Sequence, residues 1–212
     1  MGTINKGILG GFSGKVGNVV GGSWKGIDYM RSKGGNRNNN PSEKQLAQQQ
    51  KFAITMRFLQ PMSGLLEISF RNFAIMKTGI NSAFAYTIQN AISGVYPLLE
   101  VDYSQALVSR GDLPNVLGPA VTSGAGSLAT FSWTDNSGVG SAKATDQAIL
   151  VAYCPSLRQA IYATAGGERS LLTGELNLLP FSGLPAETWI GFISASGKNV
   201  ATSIFTGEIT VS

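Results

Sequence analysis

The sequence predicts an α+β chain in three sections: a glycine-rich arm (residues 1–39), a small helical subdomain (40–94) and a C-terminal antiparallel β-sandwich (95–212). Three observations lead there. Eleven of the 27 glycines fall in the first forty residues. Between residues 52 and 73 apolar side chains recur in steps of three and four, the period of a helix face. Beyond residue 95 the pattern changes to alternation, broken at short intervals by Gly, Pro, Asn and Ser.

Glycine loses the most backbone entropy on ordering, so the density of the arm reads as an extension that orders only against a partner. The arm carries Lys6, Lys15, Lys25, Arg31, Lys33 and Arg37 against one acid, Asp28, and closes with the loop-like GGNRNNN. Glycines 7, 10, 14, 17 and 21 alternate with Ile8, Phe12, Val16, Val19 and Val20. That spacing permits close backbone approach, in a tight helix pair or an extended packed segment.

The helical section opens at Asn40-Pro41-Ser42-Glu43, with Asn40 as N-cap, Pro41 in the first turn and Glu43 reaching back. Phe52, Met56, Leu59, Ser63, Leu66, Phe70 and Phe73 then form one stripe. Pro61 cannot donate to a helical ladder, so a break near Gln60 and a second helix from Pro61 are expected. A third helix follows Thr78-Gly79, with Ile80, Phe84, Ile88 and Ala91 on one face and Gly94 at its end.

In the last section LLEVDY, SLATFSWT, QAILVAYC, RQAIYAT, LTGELNLL, TWIGFISA and SIFTGEITV read as strands, joined by turn-like DNSGVG, AGGER, SGLPAE and SGK. Seven short strands with one early tryptophan (Trp133) and one late (Trp189) predict a sandwich of immunoglobulin or fibronectin-III type. Cys154 is the one cysteine, so an intrachain disulfide is excluded, and its apolar setting reads as core.

Charge is unevenly placed. Residues 1–60 carry a net +7 and residues 61–212 a net −3, so the pI near 9.3 belongs to the N-terminal quarter. A basic end on a mildly acidic body suits nucleic acid, an anionic surface or a neighbouring copy. Charged residues are only 13% of the chain, about half the usual share, which fits a surface largely covered in use. Histidine is absent, removing the commonest general base, the Ser–His and Cys–His nucleophile pairs and imidazole ligands. No span reaches the ~20 apolar residues of a transmembrane helix, and the glycine-broken ILGGFSG makes no signal-peptide core. Cytoplasmic synthesis is expected, with any exterior location reached as part of an assembly.

Several motifs invite sharper readings. GGFSGKV fails as a phosphate loop, because Leu9 and Val16 stand where glycine and Ser or Thr are needed. A membrane-entering segment is interrupted by Lys15 and Asn18. Arg110-Gly111-Asp112 spells an adhesion tripeptide but reads as a turn into Leu113-Pro114. Glu100 and Asp102 share one face of a strand, as solvent-facing charges do. Trp24, Lys25, Tyr29 and Arg31 interleave aromatics with cations, a composition that stacks bases or anchors protein interfaces. The cations are spread rather than clustered, which favours the protein interface.

The segments GKVGNVVGGSWKGIDYMRS (14–32), EKQLAQQQKFAITMRFLQP (43–61), YSQALVSRGDL (103–113) and AETWIGFISASGKNVATS (186–203) resemble a domain-of-unknown-function family of Bacteroidota and elements associated with them. The glutamines at 48–50 depart from the more basic pattern of that family. The resemblance implies a glycine-rich N-terminal motif, a helical segment and an immunoglobulin-like C-terminal domain, and brings no catalytic residues.

The expectation is therefore a non-enzymatic structural protein that self-assembles or docks into a larger particle, such as a virion, tail, tube or surface filament. Its partners would be copies of itself or other structural subunits. Gly14, Lys15, Gly17, Gly21, Trp24, Lys25, Gly26, Tyr29 and Arg31 would form the strap, with no catalytic, cofactor or metal residue. The first alternative is a nucleic-acid-binding protein using the basic quarter. The second is an adhesion or carbohydrate-binding module marked by an exposed aromatic row on the sandwich.

Overall fold

A computed structural model describes residues 2–4, 10–35, 40–74 and 76–212. Lys6, Gly7, Ile8 and Arg37 of the arm lie outside the described residues. The chain divides into two compact units, Met1–Glu43 and Lys44–Ser212.

In the first unit, the stretch read as an extension that orders only against a partner forms strands. Strands β1 (Thr3–Ile4), β2 (Phe12–Val16), β3 (Val19–Trp24) and β4 (Ile27–Ser32) form an antiparallel meander in sequence order. Its two tight turns explain part of the glycine content. Gly17 (φ 57°) and Asn18 close β2 onto β3, with Val16 opposite Val19. Lys25 (φ 49°) and Gly26 (φ 81°) close β3 onto β4 with the paired positive φ values of a type I′ hairpin. Gly21 has a different use. A Cβ there would stand 2.7 Å from the Phe12 ring, so glycine is what lets that ring lie across the sheet.

The second unit begins with helix α1 (Glu43–Leu59), whose first residue closes the N-terminal unit. The helix starts at Glu43, two residues beyond the Pro41 expected in its first turn. A 3₁₀ turn at Gln60–Met62 holds Pro61 near its start and leads into α2 (Ser63–Ser69), the break that proline imposes. Helix α3 (Gly79–Asn90) is capped by Thr78, whose Oγ1 accepts from the Asn81 amide at 3.3 Å. It ends at Asn90 rather than Gly94. Gly94 (φ 85°) belongs instead to β5 (Ile92–Val95), paired with β6 (Leu98–Val101) in a separate hairpin.

The sandwich contains β7 (Leu117–Gly124), β8 (Leu128–Thr134), β9 (Gln147–Cys154), β10 (Gln159–Ala163), β11 (Thr173–Asn177), β12 (Pro185–Ile193) and β13 (Ile204–Thr210). Its sheets run β11-β8-β7 and β10-β9-β12-β13. Strands one, two and five of the seven thus share one sheet, and three, four, six and seven the other. The constant-type immunoglobulin partition keeps the fourth strand with the first sheet; its transfer gives the fibronectin-III-like arrangement. The strand LLEVDY contributes β6, outside both sheets, and β7 takes the place it was expected to fill.

Two cores share the four-stranded sheet. Between the sheets, Phe131, Trp133, Leu150, Phe181, Ile190 and Phe192 pack together. On the other face Phe58, Leu59, Met62, Leu66 and Phe70 of the helical segment cover Ile149, Val151, Tyr153 and Trp189. β9 and β12 are therefore buried on both sides, which is why QAILVAYC is a continuous apolar run rather than an alternating one. Phe52 departs from the expected stripe: it stays exposed, its ring 4.9 Å from that of Phe84.

Candidate functional site

Cross-strand register sorts the N-terminal sheet into two faces of different chemistry, because residues directly opposite on paired strands point the same way. Gly14 pairs with Gly21 and Gly21 with Met30, while Val16 pairs with Val19 and Val19 with Ser32. One face therefore presents Phe12, Val16, Val19 and Met30. Three of these are exposed, Met30 to 72%. Asp28 falls on this face too, opposite Ser23. An open hollow of about 290 Å³ lies beside it, lined by Gly10, Gly11, Phe12, Asp28, Tyr29 and Met30. That is just below the range of pockets that enclose a drug-sized ligand.

The opposite face is built of rows. Lys15, Val20 and Arg31 form one, Gly22 and Tyr29 the next, Trp24 and Ile27 the last. A Cβ on Gly22 would lie 3.0–3.5 Å from the hydroxyl and two ring carbons of Tyr29, so the phenol end of that side chain rests against the glycine. Trp24 is 60% exposed, and Lys15, Tyr29 and Arg31 are exposed beside it. Of the expected strap residues, this face gathers Lys15, Trp24, Tyr29 and Arg31. Gly14 and Gly21 lie on the other face, and Gly17, Lys25 and Gly26 form the turns. Lys15 sits within β2 rather than in a loop leading to a helix, so the lysine of GGFSGKV has no phosphate cradle around it.

Other sequence-singled residues serve the fold of the second unit. Arg110 lies over the Phe73 ring at 4.4 Å and near Tyr86 at 5.3 Å, while Asp112 bridges to Ala201. The tripeptide is packed against neighbours rather than presented on a free turn. Asp102 is turned onto the Ser104 amide at 3.1 Å, the use that its side chain finds locally. Trp133 and Trp189 are buried, donating to the Arg169 and Ala106 carbonyls, so neither contributes to an exposed aromatic row.

Two constellations escaped sequence reasoning. Arg169, fully buried, donates to Asn136 Oδ1 at 2.6 Å and to the Pro114 carbonyl at 2.9 Å. It pairs with Asp146 at 3.2 Å and stacks on Phe192 at 4.3 Å. Burial lowers its pKa, and Asp146 opposes that shift. The second is Glu187, 8% exposed within β12, opposite Glu208 on β13 and Tyr153 on β9. Burial, and after it the charge of Glu208, pushes its carboxyl up to about 7. Burial raises the Tyr103 and Tyr153 phenols as well. The signal for Glu187 was a lone acid inside PAETWIGFI; Asp146 and Arg169 carry none in the sequence.

These features define a β-sandwich protein of immunoglobulin-like topology, backed by helices, with a small two-faced N-terminal sheet. Residues 11–207 match the family described as Family of unknown function (DUF6266), and the chain belongs to that family. Neither a curated protein nor a solved structure matches it. Among the described residues no helix is long and apolar enough to cross a membrane.

Proposed function

We propose that the chain is a non-enzymatic structural subunit that self-assembles, or docks into a larger particle of virion, tail, tube or filament type, in a phage or mobile-element setting. The N-terminal sheet is its inter-subunit strap. The observation that carries this reading is the exposure of Val16, Val19 and Met30 on one face of a sheet in which, among residues 10–35, only Gly21 is buried. Small sheets gain independent stability by packing an apolar face, and a contiguous exposed apolar patch marks an interaction surface. Strand β4 adds an edge: all six of its residues are exposed, and among the described residues no strand neighbours one side of its backbone. Such an edge is a template for another chain.

Light scattering of the full chain across a concentration series tests the reading. The full chain is expected to form particles larger than a monomer. Val19→Glu with Met30→Glu should weaken association by at least about tenfold, the direction a buried charge at an apolar contact dictates. Removal of residues 1–39 should abolish association. A full-length chain that stays monomeric at high concentration would overturn the proposal.

A further inference from the structure

The second face of the N-terminal sheet is left unused by an apolar assembly contact, and its chemistry is that of a different partner. We infer that the face bearing Lys15, Trp24, Tyr29 and Arg31 binds single-stranded nucleic acid, with the two aromatic rings stacking bases and the two cations neutralising the adjoining phosphates. The inference goes beyond the assembly reading and rests on other side chains.

Charge segregation is the first support. Both strand cations of β2 and β4, Lys15 and Arg31, lie on this face, and the acid of these strands, Asp28, lies on the other. The sequence shows one acid among the arm's cations; the register removes it from their side. A face with two cations and no carboxylate among its described residues is complementary to a polyanion.

Row geometry is the second. Two residues along a strand span about 7 Å, so the Tyr29 row stands about 7 Å from the Lys15–Arg31 row, and the Trp24 row about 7 Å further. Lys15 and Arg31 are two strands apart, about 9.5 Å backbone to backbone. One strand of nucleic acid crossing the sheet can thus place phosphates at the cation row while its bases reach the aromatic rows. A duplex keeps its bases stacked on one another and cannot use those rings. The phenol end of Tyr29 rests against Gly22 while the residue stays 47% exposed, so part of the ordering that binding requires is already present.

Fluorescence anisotropy of a labelled thymidine oligomer of about 15 nucleotides, titrated with the full chain, tests this. Binding should be tighter to the single strand than to a duplex of the same length. Affinity should fall by about sevenfold between ~50 and ~200 mM salt, as two phosphate contacts on a single strand require. Trp24→Ala and Tyr29→Ala should each weaken binding by about tenfold and keep that salt dependence, whereas Lys15→Gln with Arg31→Gln should flatten it. Trp24 is the exposed tryptophan, Trp133 and Trp189 being buried, so stacking should also quench the exposed-type emission and leave the buried component. The Val19→Glu, Met30→Glu protein should still bind the oligomer. That separates failure of this inference from failure of the assembly reading. Absence of binding at ~50 mM salt would overturn it, as would equal affinity for duplex or indifference to the aromatic substitutions. A change in particle size on substituting Trp24 or Tyr29, with no oligonucleotide bound, would assign the face to a protein partner and equally overturn it.

Discussion

Asp146→Ala is expected to cost the second unit about 3–5 kcal/mol, because it removes the counter-charge of a fully buried guanidinium. The reason lies in what Arg169 is left with. Its hydrogen bonds to Asn136 and Pro114 survive, but both acceptors are neutral, and the charge stays buried against the Phe192 ring. Asp146 also ties down its own loop, its Oδ2 accepting the Lys143 amide at 2.8 Å. At about 2–4 °C per kcal/mol for a unit of this size, the melting temperature should fall by roughly 10 °C. Asp146→Leu combined with Arg169→Met should recover much of the loss, since an apolar pair needs no counter-charge. Thermal melts of the three proteins check this. Equal stability of Asp146→Ala and the parent would show that the pair contributes little.

Stability should also fall as pH rises from about 4.5 to 7 and above, through Glu187. Its folded-state pKa is raised, so the folded protein holds a proton that the unfolded chain releases. The stabilisation is fully present below the ordinary carboxyl pKa of 4.5 and is lost as pH passes through about 7. At ~1.4 kcal/mol per unit, the span sets a ceiling of about 3 kcal/mol, which solvent screening lowers. Above neutrality two carboxylates, Glu187 and Glu208, face each other on β12 and β13, with Tyr153 on β9 opposite Glu187. Glu187→Gln cannot ionise. It should melt higher than the parent at pH 8 and flatten the dependence between pH 5 and 8. Parallel pH profiles of parent and variant would dismiss Glu187 as the cause.

Much of the second unit was legible because its signals are local. Pro61 broke the helix where a missing amide must, and the long apolar run of β9 read as a strand, though its burial on both sides emerged only from the packing. Strand β7 was missed because LGPAVTSG holds two glycines and a proline and lies at a sheet edge, where burial imposes little alternation. The first unit was misread for an instructive reason. Gly17-Asn18 between Val16 and Val19 is a hairpin signal in plain sight, but eleven glycines in forty residues drown it in what reads as loop composition. Among the described glycines, Gly17 and Gly26 serve turns, and Gly21 and Gly22 leave room for the Phe12 and Tyr29 side chains. Lys15, Trp24, Tyr29 and Arg31 could be nominated from composition alone. Which of them share a face follows from register, and register is fixed by the turns. Arg169 and Asp146 are 23 residues apart and meet only because β9 and the turn before β11 are brought together by the sandwich.

The sheet that is covered on both faces has a dynamic consequence. β9 and β12 carry the packing of both hydrophobic clusters, so neither the helices nor the three-stranded sheet can detach without stripping apolar surface from the same two strands. Residues 44–212 should therefore open as one cooperative unit. The amides of Ile149–Ala152 and Thr188–Phe192 should be the last to exchange with deuterium, at rates set by global unfolding. Those of the N-terminal meander, where Gly21 is the one buried position in residues 10–35, should exchange far sooner until a partner covers them.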